Sequence, residues 1–136
     1  MLTDGRGVPL GIAIAGANAH DQKLLEATLR SVPVPRPRSC GHRKQHLCLD
    51  KGYFGQPSLD IARRCGYQPH IRCRNEERRR SRKGYRARRW VVEAAHSWTN
   101  RARRLLVRWE KKADNYLAFV YLQFAYIALN RARLLG

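Results

Sequence analysis

His46-Leu47-Cys48-Leu49-Asp50-Lys51-Gly52 decides the reading of this chain: a short apolar strand runs into an acid and then into a turn. Downstream, Pro57 stands at a helix-starting position, and a short helix is expected through about Arg64, ended by Gly66. Tyr67 to Cys73 reads as a further strand. Upstream, Val8 to Ala15 reads as a strand with Leu10, Ile12 and Ile14 on one face. Asp21 is expected to N-cap a helix from Gln22 to about Arg30, with Leu24, Leu25, Thr28 and Leu29 inward. Pro33, Pro35 and Pro37 stop that helix, and a basic loop follows to Lys44.

The flanks complete the pattern. Asp4-Gly5-Arg6-Gly7 is turn chemistry preceded by only three residues, so the expected hairpin has a very short first strand and sequence upstream of it is expected to be missing. Arg74 to Arg88 is a charged loop without periodicity. From Arg89 a helical pattern continues to about Lys111, and from Asn115 to about Ala132 it is apolar almost all round. Tyr116 to Leu129 is shorter than the ~20 residues of a bilayer span and is interrupted by Gln123, so a buried core helix is expected and no membrane contact. The order of strands and helices predicts an α/β fold with helices packed on a sheet.

The 136 residues fit one domain, and an apolar content of 43% is ordinary for a globular protein. Charge is the outlier. Twenty-eight Lys and Arg against ten Asp and Glu leave +18, and the window from Arg72 to Lys112 alone holds sixteen basic and four acidic residues. Such a field draws polyanions, whose binding is driven by counterion release. A solubilising surface or an RNA-associated structural protein has the same composition, and an Arg excess also follows from a GC-rich genome. Cys40-Gly-His42 and His46-Leu-Cys48 hold potential zinc ligands, but Leu47-Cys48-Leu49 reads as a buried strand in which Cys is a small hydrophobe. The start has no basic segment followed by an apolar run, so a cytosolic protein with reduced thiols is the default.

Among ten acids, two have distinctive settings. Glu76 and Glu77 sit inside Arg runs, and Asp60, Glu110 and Asp114 lie among polar neighbours, as surface charges do. Asp50 ends an expected strand, at the edge where α/β sheets build sites, although an acid shortly before Gly52 is also a common turn residue. Glu93 lies in Val91-Val92-Glu93-Ala94-Ala95. At ~100° per residue, Val91, Ala95, Trp98, Ala102, Leu105 and Trp109 form an apolar stripe, with Glu93, Arg89, His96, Asn100 and Arg104 on the opposite face. There Glu93 serves either a solvated Arg89–Glu93 pair, worth about 0.2–0.5 kcal/mol, or a cation site among phosphate-binding groups. His96 fits a structural role or an acid/base role. Trp98 and Trp109 are expected in the core, while Trp90 is open to base stacking.

Four stretches in order carry a family resemblance: Leu-Thr-Asp-Gly-Arg-Gly-Val-Pro-Leu-Gly (2–11), Gly-Ala-Asn-Ala-His-Asp (16–21), Leu-Asp-Lys-Gly-Tyr (49–53), and Arg-Arg-Trp-Val-Val-Glu through Arg-Trp-Glu-Lys (88–111). Together they resemble a bacterial insertion-sequence DDE transposase of the insertion-sequence-five type, over nearly the whole chain. The resemblance implies an RNase H-like mixed sheet with flanking helices, in which Asp, Asp and Glu hold two Mg²⁺ ions. By position, Asp50 matches the second Asp and Glu93 the Glu. The family's Tyr, Arg and Lys around the Glu are matched at Arg89, missed by one residue at Tyr85, and replaced by Asn100 with Arg101 beside it. Arg86, Arg88, Arg89, Asn100, Arg101 and Arg104 are the residues expected to hold DNA.

The family's first Asp lies on a strand before the hairpin that this chain enters at residue 2, and Asp4 occupies the turn position instead. The resemblance therefore implies that residues 1–136 are a partial, N-terminally truncated catalytic domain, a frameshift product or a degenerate remnant. It would act on insertion-sequence ends and target DNA, near the bacterial nucleoid, once joined by the upstream transposase segment. The alternative is a non-catalytic basic DNA-binding regulator of the full-length enzyme. An incomplete sheet edge also predicts self-association into a homo-oligomer.

Overall fold

The computed structural model describes residues 1–16, 18–37, 44–71 and 90–133, so the charged loop over 74–88 lies outside the described residues. The fold is mixed α/β with small sheets, and it divides into two compact units: residues 15–87, and residues 1–14 together with 88–136.

In the unit of residues 15–87, β3 (His46–Leu49) and β4 (Gln68–Ile71) pair in parallel, from His46 opposite Gln68 to Leu49 opposite Ile71. Parallel neighbours need a crossover, and α2 (Gln56–Arg64) provides it, with Pro57 in its first turn as expected. Gly66 ends the helix at φ 81°, a left-handed conformation suited to glycine. α1 (Asp21–Arg30) buries Leu25 and Leu29, while Leu24 and Thr28 are only half-covered. The N-cap of α1 is His20 and not Asp21: His20 is extended, and its Nδ1 accepts from the Gln22 amide at 3.3 Å. Asp21 becomes the first helical residue, where its charge complements the helix dipole. Gln22 Nε2 ties the helix to the chain after β3 by donating to the Gly52 carbonyl at 2.9 Å.

One expectation about β3 is corrected. Strand alternation sends Leu47 inward and leaves His46 and Cys48 exposed, so Cys48 is not a core residue.

The other unit opens with a hairpin, β1 (Leu2–Thr3) and β2 (Pro9–Gly11), shorter than the strand expected to Ala15. Within β2 it is Pro9 and Gly11 that are buried, and Leu10 is half-buried. The turn is built as the sequence suggests. Asp4 Oδ1 accepts from the amides of Arg6 and Val8, both at 2.8 Å, and the Asp4 amide reaches the Val8 carbonyl at 2.9 Å. Gly7 has φ 86°, and a Cβ there would lie 3.2 Å from the Val91 carbonyl oxygen and 3.3 Å from the Trp98 ring.

The helix expected from Arg89 to Lys111 is broken. α3 (Trp90–Asn100) stops, and Ala102 turns extended to start the one-turn α4 (Arg103–Leu106), after which Val107 is extended again. Thr99 Oγ1 bonds back to the Ala95 carbonyl at 2.8 Å, a contact that bends a helix near its end. Val91, Ala95 and Leu105 keep their buried places on the stripe, but Trp109, beyond the breaks, is 73% exposed and not in the core.

α5 (Ala113–Arg131) buries Val120, Phe124 and Ile127 at helical spacing. Val120 and Phe124 form a core with Leu105, flanked by Met1, Ile12, Ala102 and Tyr116. The expectation of a wholly buried α5 is corrected, because Leu122, Tyr126 and Leu129 lie on an exposed face. Among the described residues no helix is long and apolar enough to cross a membrane.

Candidate catalytic carboxylates and nucleic-acid interface

Asp50 occupies the end of β3, where the extended chain tightens into a single 3₁₀ turn over Lys51–Tyr53. Its Oδ1 accepts from the Lys51 amide at 2.7 Å, and the residue is exposed. The strand end orients this carboxylate and the turn holds it, leaving Oδ2 without a hydrogen bond among the described residues. Tyr53, two residues past the turn's start, is half-buried, and its phenol is held above its ordinary range, first by burial and then by the charges of Asp21 and Asp50. Two carboxylates thus share one locality around Tyr53. Asp21 was read from sequence only as a cap; its only signal was a position at the end of Gly-Ala-Asn-Ala-His-Asp.

Glu93 stands in the first turn of α3, exposed and opposite the buried Val91 and Ala95, as the periodicity predicted. Its carboxylate has no hydrogen bond or ion pair among the described residues. His96, one turn on, is held below its ordinary range by partial burial of the ring and then by the Met1 amino group. Asn100 and Arg101 are exposed where α3 ends. Glu93, Asn100 and Arg101 therefore share one unit, while Asp50 belongs to the other.

Arg104 is placed differently from the single-helix expectation. The break after Asn100 carries it onto α4, where its Nε lies 3.6 Å from Glu110 Oε1 and its guanidinium sits 4.7 Å over the Phe119 ring. Glu110 is not the surface charge that its polar neighbours suggested: its side chain is 11% exposed and Oε2 is buried without a hydrogen-bond partner among the described residues. Arg86, Arg88 and Arg89 lie outside the described residues, as do Cys40, His42, Cys73 and Tyr85, and nothing is described of the Trp90 side chain.

The metal chemistry open to these residues is that of hard oxygen donors. Asp50 and Glu93 each offer an exposed carboxylate of the kind that Mg²⁺ prefers, usually one or two at a time with water completing the shell. Among the described residues no group of three or more His, Cys, Asp or Glu side chains is placed to hold a metal ion. The zinc candidate His46 instead bonds to His70 across the parallel strands, Nδ1 to Nε2 at 2.7 Å.

The described chain thus carries a strand-end acid and an acid on a helix within a sequence of net charge +18. The chain belongs to the transposase DDE domain family, which it matches over residues 1–128. It is also similar to a transposase for insertion sequence element IS402 from Burkholderia cepacia, with 33% identity over 136 residues, covering 98% of this chain and 63% of that protein. The chain thus spans a little under two thirds of the length of this curated relative. No solved structure matches it.

Proposed function

We propose that the chain takes part in DNA transposition as the Asp50- and Glu93-bearing portion of an insertion-sequence transposase of the insertion-sequence-five type, with an RNase H-like catalytic domain. The observation that carries this reading is Asp50 itself: an exposed acid at the C-terminal end of a parallel strand, within a chain that matches the DDE domain family. Asp50 and Glu93 are the assigned ligands of Mg²⁺. When bound, such ions neutralise charge on the attacking and leaving oxygens of a phosphodiester. The Lys51 amide restricts Asp50, and the helix displays Glu93. Arg86, Arg88, Arg89, Asn100 and Arg101 hold the DNA backbone, and Arg104 shares its charge between that role and Glu110.

In this reading the family's first Asp comes from outside residues 1–136. Asp4 is engaged in its turn, and Asp60 is paired with Arg63 at 3.3 Å. The reading therefore calls for an upstream transposase segment to complete the three-acid site. The test is Mg²⁺-dependent nicking of supercoiled DNA carrying the element's ends, by the chain alone and mixed with a segment that restores the first Asp. Nicking is expected only in the mixture, and Asp50→Asn or Glu93→Gln should each reduce it by about 100-fold or more, since a ligand carboxylate supports several kcal/mol of charge stabilisation. Nicking that survives both substitutions would overturn the assignment. Salt-sensitive DNA binding without nicking in either preparation would favour a non-catalytic regulator.

A further inference from the structure

We propose that Arg131 and Arg101 form a phosphodiester-binding groove on the helical unit, apart from Glu93; the inference rests on the reading of the chain as a protein that acts on DNA. Between α3 and α5 runs a groove of about 490 Å³, lined by Trp98, Arg101, Gln123, Tyr126, Asn130 and Arg131 among others, with no acid among the described residues of its lining.

Arg131 is held in place from two sides. Its guanidinium lies 4.4 Å over the Trp98 ring, and its Nη2 donates to the Arg6 carbonyl at 3.4 Å. A guanidinium carries five N–H donors, so most remain for a ligand, and a fork already held by stacking loses little freedom when it binds. Gln123 is fixed in the same wall by its Nε2, which donates to the Trp98 carbonyl at 3.2 Å. Arg101 has no ion pair among the described residues.

The contrast with other arginines of this unit is chemical. Arg104 is paired with Glu110 and covers Phe119, and Arg108 donates to the Glu110 carbonyl at 3.2 Å. Arg101 and Arg131 face one groove with amide donors beside them and no counter-acid, which is the donor set of a phosphate site. The net charge of +18 favours a polymeric anion, and family membership makes that polymer DNA.

The test is the salt dependence of duplex DNA affinity for the whole chain and its variants, without metal. Arg101→Gln and Arg131→Gln should each lower the slope of log affinity against log salt by about 0.9, the value of one phosphate contact, and the double variant by about twice that. Lys111→Gln removes the same charge from an exposed position that does not line the groove, and it should change the slope by less than half as much. Arg131→Lys, which keeps the charge and loses the fork, should fall between. If Arg131→Gln disturbs the packing on Trp98, Arg131→Lys carries the test, since it keeps a cation over the ring and loses only the fork. Equal slope changes for Lys111→Gln and the groove variants would overturn the groove and leave the transposase reading intact. A wild-type chain that does not bind DNA at all would overturn both.

Discussion

Asp50 and Glu93 are both exposed acids in a basic chain, yet the two units hold them by different means. Asp50 is gripped locally, its Oδ1 on the very next amide at the end of a paired strand. Glu93 is carried by α3, whose position depends on burying Val91 and Ala95 on the opposite face and on a hairpin whose Gly7 packs against Trp98. A short-range hydrogen bond can be read from adjacent residues, whereas the placement of α3 is a property of packing. The first kind of site should tolerate changes elsewhere, and the second should be sensitive to them.

The largest effect should come from the packing beneath the helical unit. Phe124→Ala is expected to destabilise the chain by about 3–5 kcal/mol, as cavities at buried aromatics do. Leu122→Ala, on the exposed face of the same helix, should stay within about 0.5 kcal/mol. Denaturant midpoints for the two variants check the contrast, and equal costs would mean that the face of α5 is wrongly assigned.

Gly7→Ala comes next. A Cβ at φ 86°, 3.2 Å from the Val91 carbonyl oxygen, forces strain and displacement together, with an expected cost of about 1–3 kcal/mol. Gly52 provides the comparison: a Cβ there meets nothing within 4 Å, so Gly52→Ala should cost far less. Thermal melts of both variants read the difference.

A smaller effect separates the two acids themselves. Asp50→Ala removes the cap of the 3₁₀ turn and should cost about 1 kcal/mol. Glu93→Ala, with no described partner, should be near neutral for stability while abolishing nicking in the reconstituted assay. Loss of stability at Glu93 instead would point to a structural pair.

The smallest expected effect is a pH dependence in the helical unit. Because the folded chain holds His96 below its ordinary value near 6.5, the native state resists protonation there. Stability is therefore full above that value and falls as pH drops through it toward the folded value. His96→Asn should flatten this part of a stability-against-pH curve, and an unchanged curve would assign the slope to other groups.

Much of the local architecture was legible in the sequence because its causes are local. The Asp4–Gly7 turn, the Pro57 helix start and the two short strands around Leu47 and Pro69, taken singly, follow from neighbouring residues, whereas the parallel pairing of those strands does not. The reading failed where longer-range competition decided. An unbroken helical period from Arg89 to Lys111 gave no sign that Ala102 would turn extended, and with that break Trp109 went to the surface and Arg104 to Glu110. Uniform hydrophobicity in α5 hid which side would be covered, since a helix apolar all round has no preferred face until its partners select one.

By itself the sequence determined the basic field, the Asp4–Gly7 turn and the positions of the two acids, since charge and short-range hydrogen bonding depend on composition and spacing alone. Tertiary structure alone decided that Glu110 would be buried, that His46 would meet His70, and that Arg131 would lie over Trp98 beside Arg101. Each of these joins residues through the packing of separate elements, and no pattern along the chain encodes which surfaces will meet.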